Sequence, residues 1–211
     1  MAQLGSGLEY KVYDEGDARV LKVRRSLPNR LFASFRYAVR ARSFTHSLGI
    51  ARILMPKING VPGLLASLAN ESRETKRWFA NIESAGGNDY TQDRILPLRD
   101  YFVTHSLEEN NAIAERYVGL IRSMWTVGVG DPYYNFQFNA GVYPDGSVAQ
   151  MDVADLVTDG EFLASTVQRQ VWLETGIPGV ADEELREACI RLFDAGFTAR
   201  SFAEGWAGAR R

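Results

Sequence analysis

Three groups of residues have the types and spacing to do chemistry. The first is Gly5-Ser6-Gly7-Leu8-Glu9-Tyr10-Lys11-Val12, followed by Val20-Leu21-Lys22. A glycine-rich turn between two strands lets backbone N–H groups approach nucleotide phosphates, and a lysine on the next strand can pair with them. Gly-x-Gly is also common in ordinary turns, and a strand lysine is ordinary on a sheet, so this segment alone leaves both readings open. The second group runs from Asn139 to Asp152 and reads as strand, tight turn at Pro144-Asp145-Gly146, strand. Pairing of those strands folds positions 139 and 152 back beside each other and unites an amide oxygen with a carboxylate. Two hard oxygen ligands, with phosphates and water filling the rest of the shell, suit Mg²⁺. A surface hairpin with polar ends is the alternative. The third signal is order: glycine turn, strand lysine, long helix, then the Asn/Asp hairpin.

The elements that must position these groups follow from periodicity and turn chemistry. Residues 8–13 and 19–23 are β-rich runs joined by Asp14-Glu15-Gly16-Asp17, a hairpin signal. Apolar Leu31, Phe32, Phe35, Ala38 and Val39 predict a helix over 29–47. Residues 49–70 hold Gly49, Pro56, Gly60, Pro62 and Gly63 and read as loop with short elements. Residues 77–83 and 94–98 read as strands on either side of Gly86-Gly87-Asn88-Asp89. Ser106-Leu107-Glu108-Glu109 is a capping box that opens a helix to Thr126, with Ile113, Tyr117, Leu120, Ile121 and Met124 on its apolar stripe. Helices over 160–175 and 183–195 and a short one ending at 207 complete the chain. The pattern is α+β, with a strand-rich N-terminal half and a helical C-terminal half meeting near residues 97–103.

Charge is segregated along the 211 residues. Positions 18–70 contain no Asp or Glu but ten basic residues, among them Arg36 and Arg40. The other 158 positions carry 14 basic and 26 acidic groups. Such asymmetry asks for an anionic partner or a phosphate. An apolar content of 45% argues against wholesale disorder. Cys189, the single cysteine, forms no internal disulfide and no cysteine-based zinc site. No stretch approaches 18 consecutive apolar residues and no leader pattern opens the chain, so a soluble, cytoplasmic protein without a membrane span is expected. No Gly-x-Ser-x-Gly and no Gly-x4-Gly-Lys-Ser/Thr occurs. The only histidines, His46 and His105, read as structural.

With these motifs in order, the chain resembles the protein-kinase-like superfamily, nearer its small-molecule (aminoglycoside- and choline-kinase-like) branches than ordinary protein kinases. Gly5, Gly7 and Val12 match the spacing of the family's glycine loop, and Lys22 closes a Val-Leu-Lys similar to its Ala-x-Lys. The 13-residue step from Asn139 to Asp152 matches that from catalytic-loop asparagine to metal aspartate, and Met151-Asp152-Val153-Ala154 looks like the neighbourhood of that aspartate. The resemblance implies a two-lobed kinase-like fold. Residues 1–100 would form an antiparallel sheet lobe with one helix, and 101–211 a helical lobe carrying the 139–152 hairpin. It implies Mg-ATP as cofactor, with Gly5, Gly7 and Lys22 on the nucleotide, Asn139 and Asp152 on the metal, and Asp131 as the base toward an unidentified acceptor.

Departures from the family pattern shape the expected activity. The family's catalytic aspartate lies five residues before the asparagine, where this chain has Tyr134. Asp131, eight residues before Asn139, serves only if residues 132–138 loop outward. Tyr10 stands at the third loop glycine and Ala154 at the glycine after the metal aspartate. The helix over 29–47 has no glutamate to pair with Lys22, and Glu71 or Glu74 is the nearest substitute. Only 59 residues follow Asp152, without Ala-Pro-Glu, so the peptide-docking platform of protein kinases is not expected. Three functions are thus in view: an atypical phosphotransferase, a degenerate kinase fold acting as a regulatory binding module toward a protein partner, and a binder of nucleic acid or another anion through the Arg-rich helix.

Overall fold

The computed structural model describes residues 2–6, 10–16, 18–26, 60–68 and 71–209. Gly7 and the helix expected over 29–47 lie outside the described residues. The chain forms two compact units, Met1–Ala69 with Ile82–Arg94, and Asn70–Asn81 with Ile95–Arg211.

The first unit is built on an antiparallel sheet. Its strands are β1 (Gln3–Ser6), β2 (Tyr10–Gly16), β3 (Arg19–Arg24), β4 (Glu83–Gly86) and β5 (Asp89–Asp93), in the order β1-β2-β3-β5-β4. The β2–β3 hairpin turns at Gly16 with φ +81°, a conformation that favours glycine, and Asp14 Oδ1 accepts the Gly16 N–H at 3.0 Å. The β4–β5 hairpin turns at Gly86 and Gly87, both at positive φ, where the run of turn residues places it. On β3 and β5 every second residue is buried, so Val20 and Lys22 share a face with Tyr90 and Gln92. Helix α1 (Gly60–Leu68) occupies part of the stretch expected to be loop. Pro62 falls in its first turn, where the backbone N–H has no helical partner to lose, and Leu64 and Leu68, one turn apart, are buried.

Residues 77–83 do not form the expected strand. Instead α2 (Arg73–Arg77) starts at Ser72, whose Oγ accepts the Thr75 N–H at 3.1 Å. Ala80 and Asn81 then adopt left-handed backbone, φ +51° and +48°, which ends any extended run before β4. The second expected strand is also divided: β5 ends at Asp93, β6 is Leu96–Pro97, and Leu98 already begins a helix.

The second unit holds a small sheet, β6-β7-β8, with β7 at Ala140–Val142 and β8 at Val148–Gln150. Its helices are α3 (Leu98–Thr104), α4 (Leu107–Thr126), α5 (Phe136–Asn139), α6 (Gly160–Gln168), α7 (Glu183–Gly196) and α8 (Ala199–Gly208). The capping box forms as its sequence predicts. Ser106 Oγ accepts the Glu109 N–H at 3.3 Å, and Glu109 Oε2 accepts the Ser106 N–H at 2.9 Å. All five residues of the α4 stripe are buried. Around them stands an aromatic cluster: Tyr117 packs on Phe136 and Phe193, and Tyr134 on Trp172 and Phe197, at centroid separations of 5.1–5.6 Å. Aromatic pairs at these separations add about 0.5–1.5 kcal/mol each beyond the area they bury.

The division into units differs from one cut after residue 100. Residues 70–81 and 95–100 belong with the helical unit because they pack on its small sheet. Trp78 O accepts the Gln150 N–H at 2.7 Å, β6 pairs with β7, and Ala80, Ile95 and Ala149 form one buried cluster. Among the described residues no helix is long and apolar enough to cross a membrane.

Candidate functional site

Lys22 and Gly5 lie in the sheet unit. Gly5 is in β1, opposite Val12, just before the β1–β2 connection that contains Gly7. Lys22 sits at the centre of β3, opposite Val12 on one side and Tyr90 on the other. It is 8% exposed, and its ammonium stands 5.5 Å from the Tyr90 ring centroid, within cation–π range. A lysine on the buried face of a sheet is a costly placement for a charge unless something anionic or π-rich meets it. This one is therefore not an ordinary surface lysine.

Asn139, Asp152 and Asp131 come together in the helical unit. The β7–β8 hairpin brings the two ends of its segment into backbone contact: Asn139 O accepts the Met151 N–H at 2.7 Å and the Asp152 N–H at 3.1 Å. The Asn139 side chain is buried, and its Nδ2 donates to Asp131 Oδ2 at 3.3 Å. That bond commits the nitrogen and leaves Oδ1, which accepts no hydrogen bond from the described residues, as the atom free for a cation. Asp152 is half-buried, and Oδ1 receives only the Ala154 N–H at 3.3 Å. An amide oxygen and an incompletely engaged carboxylate oxygen fit Mg²⁺, which takes few protein ligands and keeps water or phosphate on the rest. Among the described residues no group of three or more His, Cys, Asp or Glu forms a denser metal cluster.

Asp131 is built differently from an open base. It is fully buried, and its carboxylate accepts four hydrogen bonds. Oδ1 takes the backbone N–H of Tyr133 (2.9 Å) and Tyr134 (3.2 Å). Oδ2 takes Asn139 Nδ2 (3.3 Å) and Gln150 Nε2 (3.2 Å). The first pair closes a turn over residues 131–134, and Tyr134 lies in the left-handed region at φ +51°, a strained conformation for an aromatic residue that the turn holds in place. The loop after Asp131 thus turns in against the carboxylate at residues 133 and 134. Tyr134 is itself fully buried in the aromatic cluster. Burial pushes the Asp131 carboxyl above its usual range. The Asp155 carboxylate adds to that push, while the Tyr133 N–H and the Asn139 and Gln150 amides oppose it.

Gln150 is the member of the site that sequence reasoning missed. It is fully buried on β8, and Nε2 also donates to Asp152 O at 3.1 Å. A signal was present: β8 reads Val148-Ala149-Gln150, and all three residues are buried, so a glutamine there needs polar partners. No protein-family model matches the chain, and no curated protein matches it.

Proposed function

We propose that this chain is a kinase-like protein that binds a nucleoside triphosphate with Mg²⁺. Asn139 and Asp152, in the helical unit, would hold the metal, and the resemblance implies Gly5, Gly7 and Lys22 as the residues that meet phosphates. The observation that carries this reading is the meeting of Asn139 and Asp152 at the mouth of the β7–β8 hairpin, with Asn139 Oδ1 left free by the bond from its nitrogen to Asp131. Resemblance in the order of motifs supports it, as does the burial of Lys22 beside Tyr90.

Phosphoryl transfer to an acceptor hydroxyl asks for more. Such catalysis is mostly positioning and charge stabilisation, with a carboxylate that accepts the hydroxyl proton. Asp131 is the only candidate the family pattern leaves, and its four acceptor positions are filled from within the protein. That observation favours a second reading, a regulatory module that binds Mg-nucleotide without transferring its phosphate. Calorimetric titration with ATP separates these outcomes. Saturable binding that strengthens with Mg²⁺, and loses that strengthening in Asp152→Ala, is expected. Absence of binding at millimolar ATP refutes the proposal. Release of ADP in the presence of candidate alcohol acceptors, absent in Asp131→Asn, identifies the phosphotransferase; binding without turnover identifies the module.

A further inference from the structure

Gln150 is fully buried in a strand whose other residues are Val148 and Ala149, where an apolar side chain would meet no unpaired polar atom of its own. Its Nε2 spends both hydrogens on oxygens of the site, Asp131 Oδ2 at 3.2 Å and the Asp152 carbonyl at 3.1 Å. Both partners are acceptors, so the amide cannot turn over without setting oxygen against oxygen, and its orientation is determined. On the other side of the amide, Gln150 Oε1 is buried and accepts no hydrogen bond from the described residues.

We propose that Gln150 is the positioning residue of this site, its single amide nitrogen tying the Asp131 side chain to the backbone of Asp152 and so setting where the metal carboxylate stands. The inference rests on the Mg-nucleotide reading above and deepens it. Asp131 acts with Gln150 as the fixed point. Its Oδ2 collects Gln150 Nε2 and Asn139 Nδ2, one reaching to the backbone of Asp152 and the other carrying the amide oxygen offered to the cation. Asn139 and Asp152 are thereby held to a common buried carboxylate, an outer shell of the kind that orients metal ligands.

The test is the ratio of ATP affinities with Mg²⁺ and with a chelator, measured on the full chain and on Gln150→Leu, which keeps the volume and removes both donors. A tenfold or greater loss of the Mg²⁺-dependent gain is expected, on the scale of lost outer-shell contacts, with metal-free ATP affinity unchanged. A merely structural role would move both affinities together. If Gln150→Leu does not fold, Gln150→Met, which fills the same space with a flexible unbranched chain, takes its place in the same titration. A ratio within twofold of wild type in a folded variant overturns the role of Gln150 while the function proposed above stands. Absence of Mg²⁺-dependent ATP binding in the wild type itself overturns both.

Discussion

Asp131→Ala and Asp131→Asn should have very different costs, because the carboxylate organises a buried loop. Removing it to alanine strands four donors: the half-buried backbone N–H of residue 133, the buried N–H of residue 134, and the buried amides of Asn139 and Gln150. An unsatisfied buried donor costs about 1–3 kcal/mol, so the low end gives a gross loss of about 4 kcal/mol. Relief of the buried carboxylate's desolvation returns part of it, leaving an expected net loss of roughly 2–3 kcal/mol. Asparagine keeps the oxygen that receives both backbone N–H groups. Its nitrogen replaces the oxygen that the Asn139 and Gln150 amides donate to, so it strands two donors where alanine strands four, and its cost should be about half that of alanine, roughly 1–1.5 kcal/mol. All four tryptophans, Trp78, Trp125, Trp172 and Trp206, lie in the same unit as Asp131, so urea unfolding followed by tryptophan fluorescence reports on that unit alone. The pH dependence gives a second check. A carboxyl whose folded pKa is raised binds more protons folded than unfolded, so its contribution is greatest below its ordinary range near 4 and declines as pH rises toward the folded value. Asp131→Asn should therefore lose ground to wild type at acid pH and regain it as pH rises. Alanine and asparagine variants that both unfold within about 0.5 kcal/mol of wild type would show that the carboxylate does not hold this loop.

Two further expectations follow from packing. A Cβ at Gly141 would stand 2.8 Å from both Leu96 O and Ile95 Cγ1, so Gly141→Ala must push β6 away from β7 and should cost about 1–3 kcal/mol in urea unfolding; a neutral variant would mean that β6 yields freely. Cys189 is buried, and burial pushes its thiol up to about 12, so it should resist alkylation at pH 8 in the native protein and react fully in urea. Stoichiometric native labelling would contradict that burial.

Much of the local architecture was legible in the chain. The β2–β3 hairpin, the α4 capping box with its apolar stripe, and the β7–β8 hairpin all follow from turn chemistry and periodicity acting over a few residues, whereas of the β4–β5 hairpin only the turn at Gly86-Gly87 does. The approach of Asn139 to Asp152 was legible for the same reason, since a short hairpin must return its ends to each other. Where local signals competed, the reading went astray. Residues 77–83 carry strand-like composition, yet Ser72 caps a helix and Ala80 and Asn81 turn left-handed. Residues 60–68 carry glycine and proline, yet Leu64 and Leu68 bury one helical face.

What the sequence by itself determined, then, was the inventory: a lysine on a central strand, an amide and a carboxylate at the ends of a tight hairpin, and an aspartate upstream of them. Tertiary structure decided what surrounds that aspartate. In the fold, Gln150, nineteen residues later, and Asn139, eight residues later, turn their amides onto one of its oxygens. The peptide N–H groups of the loop it starts occupy the other. The number of donors that converge on a buried carboxylate depends on strand pairing and loop closure, and no pattern of residue types along the chain encodes it.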